Sequence, residues 1–155
     1  MYNEIMKFDV SAVILTMGDR PKALKESINS IRSQESVNVE IIIVWNGISP
    51  DQSIDAEMHI HSDINVGIPS GRNLGALKAS GRVILFLDDD ARLLDTDLLN
   101  KVQEIFNADK SIAITSLRII DESGSTARRH IPRLGSKSVD ISGETTSFLG
   151  GASVA

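Results

Sequence analysis

At 155 residues, with 41% hydrophobic and 24% charged residues, the chain has the size and composition of one well-buried domain rather than of a disordered or fibrous polypeptide. Its net charge of −5 argues against broad, nonspecific attraction to nucleic acid or anionic lipid, so an anionic ligand would need local arginines or a metal. The absence of cysteine excludes disulfides, thiolate metal sites and thiol catalysis, and fits a reducing cytoplasm.

The start, MYNEIMKFDV, lacks the basic-then-apolar layout of a secretory signal, and no run approaches a membrane span. The expectation is a single domain over residues 1–155, cytoplasmic, with room for a peripheral role at a membrane. Val10 to Thr16 (VSAVILT) is β-branched and apolar, as in a buried strand, and Gly18-Asp19-Arg20-Pro21 breaks it. Pro21 suits the first position of a helix, and Leu24, Ile28 and Ile31 recur on one helical face through about Ser33.

Val39 to Trp45 (VEIIIVW) repeats the buried-strand pattern and ends in the turn chemistry of Asn46-Gly47 and Ser49-Pro50-Asp51. Met58 to His61 is a candidate short third strand. A helix is predicted from about Pro69 to Ser80, with Gly81 just past its end, and its Gly71, Gly75, Ala76 and Ala79 would let it lie close to a neighbouring backbone.

Val83 to Leu87 is a further apolar run, and it ends without a spacer in Asp88, Asp89 and Asp90. Three carboxylates so close are tolerable if solvated, paired with bases or neutralised by a hard cation, and the plain alternative is an acidic turn capping the next element. Successive residues leaving a strand point alternately, so Asp88 and Asp90 are expected to share a side while Asp89 faces elsewhere. Asp95 or Thr96 can cap a helix carrying the stripe Leu98, Leu99, Val102, Ile105 and Phe106, and Ser111 to Leu117 supplies another strand. This alternation predicts an α/β domain with a mostly parallel, Rossmann-like sheet flanked by helices.

In such a sheet the loops Thr16 to Arg20, Asn46 to Asp51, Asn65 to Asn73 and Asp88 to Asp90 converge on one rim, beyond the carboxyl ends of the strands, where ligands bind. A helix N-terminus opened by Gly67 and Gly71, with Arg72 on its first turn, attracts phosphate. Acids for a metal, a phosphate site and polar base-reading groups together suggest a nucleoside diphosphate.

The series VILT, IIIVWNG, INVGIPSGRNLGALKASG and VILFLDDD, in this order and spacing, resembles the amino-terminal nucleotide-binding half of family-two glycosyltransferases with the GT-A fold. The resemblance is strongest over residues 10–118 and weaker to residue 155. It implies transfer of a sugar from a nucleoside-diphosphate sugar to a saccharide, lipid-linked or other hydroxyl acceptor, with inversion and a divalent cation, Mn²⁺ or Mg²⁺. It also implies that Thr16, Arg20, Asn46, Asn65, Gly67, Gly71, Arg72, Asn73, Asp88 and Asp89 line the nucleotide, with the middle acid near the ribose, and that Asp90 with Asp88 holds the metal.

Two departures from the family pattern stand out. Where members commonly carry an acid before the second-strand asparagine, this chain has Trp45, either a buried strand-end aromatic or a stacking surface for the base. The general base of inverting members normally lies beyond the Gly-Gly strand seen here as Leu149-Gly150-Gly151-Ala152, so it is expected beyond Ala155, with Asp140 and Glu144 as poor substitutes. A truncated member is one reading, a noncatalytic nucleotide-sugar-binding module another. A sugar nucleotidyltransferase is a third, poorly matched by Thr16-Met17-Gly18-Asp19-Arg20. His59 and His61 alternate as on a strand, as a metal pair or as exposed edge residues, and Arg128-Arg129-His130 with Arg133 forms a basic loop.

Overall fold

The computed structural model describes residues 7–126 and the backbone of a short strand at Ser153–Val154. Four strands, β1 (Val10–Thr16), β2 (Val39–Asn46), β3 (Met58–Ser62) and β4 (Val83–Asp88), pair in parallel, and three helices, α1 (Pro21–Arg32), α2 (Gly67–Ala76) and α3 (Leu98–Ala108), connect or follow them. Two short strands, β5 (Thr115–Ser116) and β6 (Ser153–Val154), extend the sheet, giving the order β3-β2-β1-β4-β6-β5. The predicted α/β class with a mostly parallel sheet is therefore the observed one.

β1 and β2 are apolar on both faces because both faces are covered. One face carries Val10, Ala12, Ile14, Ile41, Ile43, Leu85 and Leu87, packed with Leu24, Ile28 and Ile31 of α1 and Leu99 and Val102 of α3. Fully burying side chains of this kind contributes roughly 1.5–3 kcal/mol each. The other face carries Val13, Ile42 and Val44 with Leu15 and Phe86, covered by Leu74 of α2. Gly71 and Gly75 make that contact close. A Cβ at Gly75 would stand 2.3 Å from Val13 Cγ1, and one at Gly71 would stand 2.4 Å from Leu15 Cδ1.

Three element boundaries differ from expectation. α2 begins at Gly67, two residues before Pro69, because Gly67 adopts a left-handed φ of 79° and Pro69 then falls within the first turn, where its missing N–H costs no helical bond. It ends at Ala76 rather than Ser80, because the chain is drawn away toward the buried Glu40 carboxylate, whose Oε1 accepts from Ser80 N at 2.6 Å and Ser80 Oγ at 2.9 Å. Finally, only Thr115–Ser116 of the expected strand at Ser111–Leu117 is in the sheet. It pairs antiparallel with β6, and Ile114 is 57% exposed.

The α3 cap also differs. Asp97 holds the N-cap position without a side-chain capping bond, its carboxylate pairing instead with Lys101, and neither Asp95 nor Thr96 caps the helix. Gln34, from just beyond α1, does so across the fold: its Oε1 accepts from Leu99 N at 2.9 Å and its Nε2 donates to Asp95 O at 2.6 Å. Glu35 N adds a bond to Thr96 O at 2.7 Å. The loop that follows the three acids is thereby fastened to the end of α1.

Candidate active site

From β1 the chain runs one way across the sheet, to β2 and β3, and then returns to place β4 on the other side of β1. The reversal point lies between β1 and β4, which is where open parallel sheets form a crevice at their carboxyl ends. Thr16 ends β1 there, Asp88 ends β4, and Asp89 and Asp90 continue into a turn closed by Ala91 N to Asp88 O at 3.0 Å.

The three carboxylates are all paired, and differently. Arg72 Nη2 donates to Asp88 Oδ1 at 2.7 Å, while its guanidinium carbon lies 5.7 Å from the centroid of the Phe86 ring. Asp89 is only 3% exposed; its Oδ2 accepts from Thr16 Oγ1 at 2.6 Å and its Oδ1 meets Arg20 Nη2 at 2.8 Å. Arg20 Nη1 also donates to Asp90, so one guanidinium spans two neighbouring acids. The strand alternation expected for Asp88 and Asp90 stops at the turn: they are held by different arginines, and Asp90 shares its partner with Asp89.

Burial pushes the Asp89 carboxyl above the usual carboxylate range, and the Thr16 hydroxyl and Arg20 charge pull against that rise. Arg20 in turn is held charged still more firmly, first by Asp89 and, against some burial, by Asp90 and Asp19. The Thr16 hydroxyl also accepts from Gly18 N at 3.0 Å, which shapes the loop carrying Arg20. Arg20 itself precedes α1 as its N-cap residue.

Eight of the ten expected nucleotide-lining residues, with Asp90, fall into two groups. Thr16, Arg20, Asp89 and Asp90 form one cluster and Arg72 with Asp88 its continuation. Asn46, Asn65 and Gly67 form the second. Asn46 is 4% exposed, and its amide is used at both ends: Nδ2 donates to Asn65 Oδ1 at 2.9 Å and Oδ1 accepts from Val66 N at 2.8 Å. Asn65 Oδ1 also takes the Gly67 N–H, at 2.9 Å. This group braces the two loops against each other.

Gly71 faces the sheet under Leu15, so its small size serves packing. Asn73 is exposed on α2. Arg72 lies in the second turn of the helix rather than the first, a consequence of the earlier start at Gly67.

Trp45 is the buried aromatic of its two readings, 3% exposed and stacked on His59 at 6.0 Å between ring centroids. Its Nε1 donates to His59 Nδ1 at 2.9 Å, and His59 Nε2 lies 3.1 Å from Ile54 O, so the ring proton is on Nε2. His59 is thus a packed structural residue, separate from the exposed His61 beside Asp63. Exposed apolar residues, unremarked in the sequence, gather on this side of the rim: Met17 Sδ lies 3.6 Å from Asn65 Nδ2, and Ile48 and Ile64 stand on the adjoining loops. Asp140, Glu144, the basic loop at Arg128 to Arg133 and the Leu149-Gly150-Gly151-Ala152 segment lie outside the described residues.

The acids of the run that are left half exposed on the solvent-facing rim, and so could be offered to a divalent cation, are Asp88 and Asp90, each held by a different arginine. Among the described residues no three acids or histidines converge on one point. This fits a hard cation that takes few protein oxygens and completes its shell with water and phosphate, and does not fit a cation held in a protein cage. Among the described residues no helix is long and apolar enough to cross a membrane.

The sequence model for glycosyl transferase family 2 matches residues 11–151. An uncharacterized glycosyltransferase of Rickettsia bellii is 29% identical over 131 residues, 80% of this chain but 19% of that protein, and an uncharacterized protein of Haemophilus influenzae is 23% identical over 147 residues, 86% of this chain and 78% of that protein. Among solved structures, the fold is similar to TarS of S. aureus in complex with UDP, with a TM-score of 0.55 and 21% identity over 64% of this chain and 32% of that one. It is also similar to the mannosyltransferase PcManGT of Pyrobaculum calidifontis in complex with GDP-Man and Mn²⁺, with a TM-score of 0.60 and 19% identity over 70% of this chain and 35% of that one. The chain therefore spans about a fifth of the Rickettsia relative and about a third of these two solved structures. Because the family match runs from β1 through the acids at the end of β4 and on past α3, it takes in the rim as well as the sheet, and the chain belongs to glycosyl transferase family 2.

Proposed function

We propose that this chain binds a nucleoside-diphosphate sugar at the rim between β1 and β4 and serves transfer of the sugar, with inversion, to an acceptor hydroxyl. The observation that carries the reading is the meeting of Arg20 and Arg72 with Asp88, Asp89 and Asp90 at the point where the strand order reverses. Arginine forks suit phosphate oxygens, and half-exposed acids suit a hard cation. The ligands of the two similar structures, UDP and GDP-Man, support the donor class and leave the base open.

In this reading Arg72 and Arg20 turn their donors to the diphosphate, and Thr16 and Asp89 keep the β1 end and the Arg20 loop in register. Asp90, with Asp88, would hold the divalent cation, Mn²⁺ or Mg²⁺, which when bound neutralises charge on the departing nucleoside diphosphate. The Mn²⁺ of the mannosyltransferase structure supports that assignment. With Asp88 and Asp90 given to the cation and Asp89 enclosed by Thr16 and Arg20, we assign the general base, and the acceptor contacts, to residues outside the described set. The acceptor class is a saccharide, a lipid-linked sugar or another hydroxyl compound, met in the cytoplasm or at the membrane periphery.

Calorimetry with UDP, GDP and dTDP in the presence of Mn²⁺ tests the site and identifies the base. Binding of at least one of them with metal-enhanced affinity is expected, and binding of none overturns the reading. Incubation with labelled nucleotide sugars then separates transfer from pyrophosphorolysis or binding without turnover.

A further inference from the structure

Asp89 is the most buried of the three acids, and its environment differs in kind from those of its neighbours. The side chains of Asp88 and Asp90 are 55% and 51% exposed, whereas Asp89 is enclosed, with one oxygen taken by Thr16 and the other by Arg20. Each Asp89 oxygen keeps acceptor capacity beyond its one partner, but at 3% exposure a ribose hydroxyl could reach it only if the enclosing Thr16 or Arg20 moved aside, at the cost of a buried charged contact.

The two partners stand at opposite ends of one loop. Thr16 closes β1 and accepts from Gly18 N, and Arg20 leads into α1 at Pro21. A single carboxylate therefore ties down both ends of the segment that carries a free-ranging, long cation. An arginine loses much rotamer freedom when it is fixed, and fixing it before the ligand arrives removes that cost from binding. Arg20 remains half exposed at 49%, with Nη2 held from behind by Asp89 and Nη1 against the solvent-facing Asp90.

We propose that Asp89 acts on the nucleotide through Arg20, as a positioning residue, and does not touch the ribose. This rests on the nucleoside-diphosphate reading of the same rim. It also reverses the role that family resemblance gives to the middle acid of the run.

A double-mutant cycle with Arg20→Met and Asp89→Asn tests it, read by calorimetry with whichever of UDP or GDP the wild-type protein binds in Mn²⁺. Each single variant is expected to lose about tenfold or more in affinity, the size of one charged hydrogen bond. In the Arg20→Met background, Asp89→Asn is expected to cost less than about twofold, the error of additivity for independent sites. Losses that multiply in the double variant overturn the proposal.

The ribose is tested directly by repeating the titrations with the 2′-deoxy and 3′-deoxy diphosphates. The preference for the ribonucleotide is expected to be the same in wild type and Asp89→Asn; its disappearance in the variant assigns Asp89 to the sugar and overturns the proposal. Should Asp89→Asn fail to fold by circular dichroism, Arg20→Met and Arg20→Lys alone decide: affinity within about twofold of wild type removes Arg20 from the path. Failure of wild-type protein to bind either nucleotide overturns the functional reading itself, a distinct result.

Discussion

Arg72 Nη2 donates to Asp88 Oδ1 at 2.7 Å, joining the second turn of α2 to the last residue of β4 across the rim. The guanidinium is also laid over the half-buried Phe86 ring, so its direction is set by packing as well as charge. A diphosphate arriving at this rim meets a donor already aimed. Arg72→Ala is expected to weaken nucleoside diphosphate binding by roughly 1.5–3 kcal/mol, the range for hydrogen bonds to charged groups. Calorimetry reads it, and an unchanged affinity removes Arg72 from the site.

Asp90 is the acid whose removal disturbs the fold least, since its side chain is half exposed and its partner Arg20 keeps Asp89. A hard cation with few protein ligands fills its shell with phosphate oxygens, so metal and nucleotide are expected to bind cooperatively. Asp90→Asn is predicted to abolish the Mn²⁺ enhancement of nucleotide binding while leaving the thermal unfolding midpoint near that of wild type. Equal enhancement in both proteins would show that Asp90 is not the principal metal ligand.

The strands were legible because their signal is local: VSAVILT, VEIIIVW and VILFL are apolar on both faces, and a parallel sheet covered by α1 and α3 on one side and α2 on the other makes use of every one of those residues. The rim was legible for the same reason, since strand direction sends Thr16, Asn46 and Asp88 to one edge. What the sequence did not disclose was decided by partners far along the chain. Gln34 caps α3 from 65 residues away, and Glu40 draws Ser80 out of the predicted helix from 40 residues away. Asp89 could not be told from Asp88 or Asp90 by type or spacing; only the turn after β4 sends it inward to Thr16. Asn46 is placed along the nucleotide by resemblance, and that its amide also joins Asn65 and Val66 could not be read from the sequence.

That last contact carries its own prediction. Removing the buried Asn46 amide takes the acceptor from the part-buried Val66 N–H and one donor from the exposed Asn65, whose Oδ1 keeps the Gly67 N–H, so Asn46→Ala is expected to destabilise the protein by about 1 kcal/mol, the net worth of ordinary hydrogen bonds. The relative affinities for UDP, GDP and dTDP are expected to stay as in wild type. Urea denaturation measures the first and calorimetry the second; a change in base preference without loss of stability would place Asn46 in contact with the base.

Gly75 offers a test of the α2 contact that holds Arg72 over the rim. A Cβ there would stand 2.3 Å from Val13 Cγ1 and 3.2 Å from Val44 Cγ2, both branched side chains fixed in the sheet. Gly75→Ala removes a flexible residue from a helix, which alone favours folding by several tenths of a kcal/mol to about 1 kcal/mol, but overpacking of a closed core costs about 1–3 kcal/mol. Net destabilisation is the expected result in urea. Stabilisation by the alanine would mean that α2 stands further from β1 and β2 than described.

The clearest pH dependence belongs to Glu57, which precedes β3 and pairs with the last residue of α1, the opposite end of that helix from Arg20. Arg32 Nη1 and Nη2 donate to its two oxygens at 2.9 and 3.0 Å, and Ile41 N donates to Oε2 at 2.6 Å. Burial raises the carboxyl's pKa, but the Arg32 hydrogen bonds, the Ile41 N–H and the Arg32 charge outweigh it, so the folded value lies below the unfolded one of about 4.3. Over that interval the unfolded chain binds the proton and the folded chain does not, so stability rises with pH. The contribution is therefore complete above the unfolded pKa and is lost as pH falls through the folded pKa. With both partners about one-third exposed, solvent screening keeps the pair at the low end for charged hydrogen bonds, about 1 kcal/mol. Glu57→Gln should lower stability by that amount at pH 7, with the gap to wild type closing on acidification below about pH 4. Urea denaturation of both proteins across this range reads the difference directly, and a gap that keeps its size at low pH would show that the ionised Glu57 is not what Arg32 and Ile41 stabilise.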